Sequence, residues 1–357
     1  MKLKVTLISN WFDNPYKQLL IDGLASENIA TAEMRGKVFF LPQILRDGKP
    51  EILHLQTLIY LFASRNWAFY WVKFLLFLIQ LNILKVLGIP TVWTVHEWKD
   101  KISAGQHDLS PAKSYLLGKT LTGIITHCAT TKQELVIDLK LKQAQKIFVV
   151  PHGNYIGCYE NNITKHQARE KLGITGDALS FLFFGGIHPS KGVIEAIKAF
   201  KSLPHAKIQF TIAGQIPYPT LEQKITREIA NEKNILLVNS PGGIPDSEVQ
   251  TYLNACDIVV LPYRIFTTSG VALLAMSFKR ACIAPKQGFF NDILDSRGSF
   301  LYPDTPDGLK QAMNQAVARQ ASLEEMGIFN YELAQKYSWK GVAQQTAKVY
   351  QWAMEQS

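Results

Sequence analysis

Residues 183–200 read FFGGIHPSKGVIEAIKAF and residues 262–278 read PYRIFTTSGVALLAMSF. In each, an apolar run gives way to small, hydroxylated and cationic residues, and a second apolar run follows with helical spacing. Gly185 and Gly186 would let a ligand approach the backbone, and Lys191 puts a charge where a helix start already favours an anion. Arg264 comes directly after a strand-like run, and Thr267, Thr268, Ser269 and Gly270 stand at the expected start of a helix. A guanidinium, hydroxyls and bare helix N–H groups together make a receptor for a diphosphate. Both stretches also read as plain architecture, a glycine turn with a surface lysine and a hydroxyl N-cap.

A second group of candidates lies in the first half. His96 follows the apolar run PTVWTV and would stand at a strand's carboxyl edge, with Glu97 beside it to orient an acceptor or accept its proton. In NWFDNPYKQLL, Asn14 and Pro15 can cap and start a helix, and Tyr16 would then face the same cleft. His152 and Asn154 are further candidates with less to support them.

Alternating elements place these residues. KVTLIS (4–9), KVFFLP (37–42), EILHLQ (51–56), PTVWTVH (90–96), GIITHCA (123–129) and IFVVPHG (147–153) read as parallel strands, with helical stretches such as 14–26 and 130–142 between them. The pattern restarts with LSFLFFGG (179–186), KIQFTIAG (207–214), NILLVN (234–239), DIVVLP (257–262), ACIAP (281–285) and SFLY (299–302). The polar interval 154–178 reads as the linker region. Two doubly wound α/β sheets result, and in such sheets ligands bind beyond the carboxyl ends of the strands.

Composition narrows the classes. At 357 residues the chain suits two domains, and 47% hydrophobic against 19% charged is a globular mixture. The four cysteines (Cys128, Cys158, Cys256, Cys282) form no C-x-x-C pair, which suits reduced thiols in a cytoplasmic protein. MKLKVTLISNWFD reads as a first strand rather than a secretory signal. The segment AFYWVKFLLFLIQLNIL (68–84) is interrupted by Lys73, Gln80 and Asn82, so it reads as an amphipathic helix, buried or on a membrane surface, rather than a span. Residues 1–160 hold 18 Lys+Arg against 12 Asp+Glu (18 − 12 = +6), and the remainder contributes +3 of the total +9. A basic, aromatic first half suits a membrane surface or a polyphosphate better than nucleic acid, for which no binding motif is present. The chain also lacks a P-loop, a G-x-G-x-x-G after the first strand, a G-x-S-x-G, metal-spaced His/Cys groups and a D-x-D triplet, whose nearest approach is Asp246-Ser-Glu248.

Taken in order, F-F-G-G-I-x-x-x-K-G-V, A-G, D-I-V-V-L-P-Y-R and S-G-V-A-L-L-A-M-S-F-K-R-A-C-I-A-P resemble the donor-binding half of family-four retaining glycosyltransferases. T-V-H-E-W (94–98), V-V-P-H-G-N (149–154) and the C-terminal Y-S-W-K-G-V-A resemble that family's acceptor-side histidine segment, hinge turn and returning last helix. The resemblance covers nearly the whole chain. It implies a GT-B fold, two Rossmann-like domains facing across a cleft: an acceptor domain of residues 1–155 plus 340–357 and a donor domain of residues 156–339. It further implies a hexosyltransferase acting in polysaccharide synthesis, with glucose from UDP-glucose as the best reading and a saccharide or lipid-linked saccharide as acceptor. No cofactor and no metal are expected, and the location implied is the cytoplasm, at the inner face of the membrane where the acceptor is lipid-linked. His96 would contact the transferred sugar, the loop Gly242–Gly243–Ile244 would read the base, and Lys191 and Arg264 would meet the diphosphate.

The family's glutamate pair falls here on Phe266 and Leu274, which cannot bind hydroxyls, and Gly186 stands where an arginine is common. This resembles an exopolysaccharide-type sub-branch with P-Y-R…T-S-G in place of the glutamates. Two alternatives remain: a nucleotide-sugar hydrolase or epimerase on the same fold, or a degenerate module that binds nucleotide without catalysis.

Overall fold

The computed structural model describes residues 2–10, 15–62, 64, 66–98, 111–141, 144–204 and 207–357. They form two compact units, Met1–Gly153 with Tyr337–Ser357, and Asn154–Lys336. The chain thus passes between units at 153/154 rather than 155/156, and returns at 336/337 rather than 339/340.

The first unit contains β1 (Leu3–Ser9), α1 (Pro15–Ser26), β2 (Ile29–Arg35), α2 (Leu41–Arg46), β3 (Ile52–Leu55), α3 (Trp67–Val86), β4 (Thr91–Thr94), α4 (Pro111–Thr120), β5 (Gly123–Thr126), α5 (Ala129–Asp138) and β6 (Ile147–Val149). The second contains α6 (Lys165–Leu172), β7 (Leu179–Phe184), α7 (Val193–Lys201), β8 (Ile208–Gly214), α8 (Pro219–Ile229), β9 (Ile235–Asn239), α9 (Asp246–Ala255), β10 (Ile258–Val260), α10 (Gly270–Ser277), β11 (Ala281–Pro285), α11 (Gly288–Ile293), β12 (Ser299–Tyr302), α12 (Gly308–Ala318) and α13 (Leu323–Gln335). The last helix, α14 (Trp339–Glu355), returns to the first unit.

In the first unit the strand order is β2-β1-β3-β4-β5-β6, all parallel. One layer of core packs Phe40, Phe62, Phe74, Phe77, Trp93 and Trp98 on one face of the sheet. The other packs Val5, Leu20, Leu24, Val342 and Tyr350 between the sheet, α1 and α14. The expected strand at 37–42 is absent: Phe40 caps α2, and its N–H and that of Leu41 donate to Gln80 Oε1 at 3.0 Å each. The strand is β2 instead, an edge strand with only Ile29 and Met34 buried.

Gln80 explains why a polar residue interrupts α3. Its amide turns inward, also donating to Val38 O at 2.8 Å, while Asn82 bonds back to Leu78 O. Trp67–Val86 is long and apolar enough to cross a membrane by length and composition. Yet Phe74, Phe77 and Leu84 are fully buried in the unit's core, so this face cannot meet lipid. The opposite face, Phe69, Val72, Leu75, Ile79, Ile83 and Val86, is exposed.

The second unit has order β12-β11-β10-β7-β8-β9, again all parallel. Phe181, Phe200 and Phe210 pack edge-to-face and tilted in its core. Residues 154–178 are no linker. They carry α6, whose Arg169 donates to Asp257 Oδ2 at 2.7 Å and to Ala255 O and Gly176 O, while Lys165 pairs with the same carboxylate. Asp257 also accepts from Ser180 N at 2.8 Å, which fastens the helix to the amino ends of β7 and β10. Asn154 Nδ2 donates to Ala334 O at 2.8 Å, a structural tie rather than a free polar group.

Candidate functional site

In each sheet, the chain winds outward on one side and then restarts on the other, and the crevice beyond the strands opens where the direction reverses. In the second unit that point lies between β7 and β10. The loops following these two strands are the two cationic stretches. They meet backbone to backbone: Arg264 N donates to Ser190 O at 2.9 Å, and Ile265 N leans on the same oxygen at 3.4 Å. Gly192, at φ +67°, caps α7, and a Cβ there would fall 2.0 Å from Pro262 O. The β8 turn closes the other side, where Gly214 lies so near Gly185 O that a Cβ would overlap it.

This framework positions the candidate residues. Gly185 (φ +98°) and Gly186 form the turn after β7. Lys191 holds its ammonium 3.7 Å above the ring of Tyr263, a cation–π contact that aims the chain across the β7/β10 junction. Tyr263 is buried, which pushes its phenol up to about 12 against the hydrogen bond it shares with Ser269. Arg264 is exposed and pairs with Glu195 on α7 at 3.1 Å. An exposed pair of this kind contributes no more than about 1 kcal/mol, so a dianionic ligand can compete for the guanidinium.

The hydroxyls divide by role. Ser269 is the N-cap of α10, accepting from Ala272 N at 3.3 Å, so its oxygen is turned inward. Thr267 is buried. Thr268 Oγ1 is enclosed and has no hydrogen-bond partner among the described residues, which singles it out as the hydroxyl still to be satisfied. Gly270 is the first residue of α10, where helix N–H groups point outward. Ile244 is half-buried beyond Gly242 and Gly243, both at positive φ in a turn closed by Ser240 Oγ on Gly243 O at 2.6 Å. Phe266 packs on Phe290 at 4.5 Å between ring centroids, and Leu274 is buried inside α10, so neither position offers a polar group.

In the first unit the strand ends gather four histidines. His54 lies within β3, His96 follows β4, His127 follows β5 and His152 follows β6; all four are buried. Tyr16, at the start of α1, is buried among them rather than exposed, its ring 4.7 Å from His96 and 4.8 Å from His152, with Trp339 of α14 at 5.1 Å. Asn14 lies outside the described residues. Glu97 is half-buried and, with Gln56, Tyr60 and His96, lines a small recess at the ends of β3 and β4.

Hydrogen bonds link three of the imidazoles, those of His54, His96 and His127, into a chain. Tyr350 Oη lies 2.6 Å from His54 Nδ1, and Thr94 Oγ1 lies 2.7 Å from His54 Nε2. Gln56 bridges to His96, which reaches His127 Nε2 at 3.3 Å; His127 Nδ1 donates to Val150 O at 2.9 Å. Burial holds all four neutral. It lowers His54 and His152 to about 3 and His127 to about 4, and it pulls His96 well below the usual range, helped by His127, His152 and His54. Both ring nitrogens of His96 are thus engaged inside the unit. Of this group, the sequence reading found His96, Tyr16 and His152 but missed His54, Gln56, His127 and Tyr350. The available signal was an imidazole at the close of four successive apolar runs: HLQ, TVH, ITH and VPH.

Over 97% of this chain and 98% of the other, the structure superposes on Anabaena HepE, solved in complex with UDP and glucose, with a TM-score of 0.74 at 14% identity. It superposes with a TM-score of 0.76 on sucrose-phosphate synthase from Thermosynechococcus elongatus, at 15% identity over 100% of both chains. The fold is GT-B. Residues 178–319, which hold both cationic loops, match the family Glycosyl transferases group 1. A lipopolysaccharide 1,2-N-acetylglucosaminetransferase of Salmonella typhimurium is 27% identical over 213 residues, 56% of this chain and 55% of that enzyme. The chain thus spans about half the length of this relative. In this GT-B chain the group 1 match falls on the unit whose switch point carries Lys191, Arg264 and the α10 N-terminus.

Proposed function

We propose that this chain is a retaining glycosyltransferase that binds a nucleoside diphosphate sugar at the carboxyl ends of β7 and β10. One observation carries the reading. At the switch point of the second sheet, Lys191, Arg264, an unsatisfied Thr268 hydroxyl and the start of α10 are held together by backbone contacts between two loops. The group 1 match over residues 178–319 supports it.

Charge accumulates on the diphosphate as the sugar C1–O bond breaks. Fixed cations and helix N–H groups at that position stabilise the transition state more than the ground state. Lys191 and Arg264 supply the cations, with Gly185, Gly186 and Gly270 allowing close backbone approach, so no metal is needed to balance the leaving group. An acceptor hydroxyl then attacks C1 on the face the diphosphate leaves, and its proton passes to a phosphate oxygen. Ile244 and its glycine turn would meet the base. UDP-glucose is the donor favoured here, and the acceptor is a saccharide or lipid-linked saccharide of polysaccharide synthesis. The outward apolar face of α3, with Lys73 and Lys85 on the same helix, supports a peripheral contact at the inner membrane face where such an acceptor resides.

The test is turnover of UDP-sugars with Lys191→Ala and Arg264→Ala. Each should lose about a hundredfold or more, the scale of removing one stabilising group from a developing anion. Near-normal turnover in both would refute the mechanism, and release of free sugar without transfer to any acceptor would favour a hydrolase.

A further inference from the structure

The hydrogen-bonded chain in the first unit contains a contradiction that proton counting resolves. Val150 O can only accept, so His127 carries its proton on Nδ1, and a neutral His127 presents a lone pair at Nε2. His96 Nδ1, 3.3 Å away, must therefore donate. A neutral His96 then has its lone pair at Nε2. Yet the atom of Gln56 that stands 2.8 Å from His96 Nε2 is Oε1, another acceptor. Either two lone pairs face each other, or His96 holds an extra proton as an imidazolium. Among the described residues, the groups facing it include His127, His152, Tyr16 and, through Gln56, His54, with Glu97 its neighbour in the chain. Burial and three surrounding imidazoles oppose the cation.

The two ends of a glutamine amide have nearly the same shape, so partners decide its orientation. With the amide turned, the lone pair at His96 Nε2 gains a donor. Gln56 Nε2 donates to His96 Nε2. Gln56 Oε1 comes to the position over the His54 ring, 3.2 Å from Nε2 and 3.4 Å from Nδ1, while His54 Nε2 donates to Thr94 Oγ1 at 2.7 Å. His54 Nδ1 accepts from the Tyr350 hydroxyl at 2.6 Å. From Gln56 through His96 and His127 the hydrogen bonds then run in one sense, to the backbone after β6.

We propose that Gln56 is the positioning residue of His96: its amide nitrogen faces His96 Nε2 and fixes that imidazole as the neutral tautomer protonated at Nδ1. Gln56 and His96 border the same recess at the ends of β3 and β4, so this tautomer sets which polar atoms that recess presents. A neutral ring with both nitrogens occupied orients by shape and packing and does not serve as a proton carrier. Tyr350 reaches the same cluster from the returning helix, its hydroxyl 2.6 Å from His54 Nδ1.

The inference bears on the same site through His96, but it is read without any sugar transfer, so its failure and that of the transferase reading show up separately. The experiment is two-bond 1H–15N correlation on the full-length chain with 15N-labelled histidine at pH 7.5, the His96 signals being assigned by their loss in His96→Asn. The expected result is a His96 Nε2 resonance at the position of an unprotonated nitrogen and Nδ1 at that of a protonated one. In Gln56→Glu, whose carboxylate can only accept, the Nε2 resonance should shift to the protonated position, and the pH at which His96 becomes an imidazolium should rise. A protonated His96 Nε2 in the unaltered protein overturns the proposal. So does a folded Gln56→Glu protein whose His96 Nε2 stays unprotonated. If Gln56→Glu does not fold, the spectrum of the unaltered protein decides alone.

Discussion

Lowering the pH from 7 to 5 should unfold the first unit selectively. Its four buried histidines have folded pKa values below the unfolded value of about 6.5. Below pH 6.5 the unfolded chain therefore binds protons that the folded one refuses, and stability falls as pH falls. The full stability is present above about pH 6.5, and the loss continues until the folded values, about 4 for His127 and about 3 for His54 and His152, are reached. Between pH 7 and pH 5 each histidine costs roughly 2 kcal/mol, from about 1.4 pH units at 1.36 kcal/mol each. Three of them sum to about 6 kcal/mol, comparable with the whole stability of a domain, and His96 adds in the same direction. For a unit of this size that is a fall in melting temperature of roughly 15 °C or more. Tryptophan fluorescence isolates the effect, because all seven tryptophans fall in the first unit's sequence and none in the second. Thermal melts at pH 7.5, 6.5, 5.5 and 5.0 should show a midpoint that is flat above pH 6.5 and steep below it. A midpoint that does not move between pH 7.5 and pH 5 would refute the buried, neutral cluster.

Two further outcomes follow from the packing. Gly192→Ala should lower the second unit's melting midpoint by calorimetry and weaken nucleotide binding together, because φ +67° and the 2.0 Å approach to Pro262 O both exclude a side chain where the two loops join. Sedimentation with vesicles should show binding through the outer face of α3 that rises with anionic lipid, and Ile79→Glu should weaken it by about tenfold or more, the scale of one exposed Ile lost from an apolar contact. Binding indifferent to lipid charge would remove the basic half from that account.

The architecture was legible wherever a strand was buried on both faces. LSFLFF and ACIAP are nearly continuous apolar runs because helices cover both sides of a parallel sheet. IATAEMR was illegible for the same reason in reverse: an edge strand with two buried residues carries almost no pattern, whereas KVFFLP looks like a strand because Phe40 is buried by α2 and α3. The meeting of the two cationic loops was legible because lysine, arginine and paired glycines at strand ends have few structural reasons to cluster. Ser269 shows the limit, since an N-cap and a ligand hydroxyl have one sequence signature and only the inward turn toward Ala272 N separates them. The imidazole chain was not readable from one histidine at a time. Its meaning depends on β3, β4, β5 and β6 being consecutive neighbours in one sheet, which is a property of the topology.

The most direct trial of the account is a crystal structure of the protein with UDP bound. The diphosphate should lie beyond β7 and β10, with Lys191 Nζ and the Arg264 guanidinium within hydrogen-bonding distance of its oxygens and the first N–H groups of α10 directed at it. A diphosphate bound anywhere else, or both cations turned away from it, would contradict the reading.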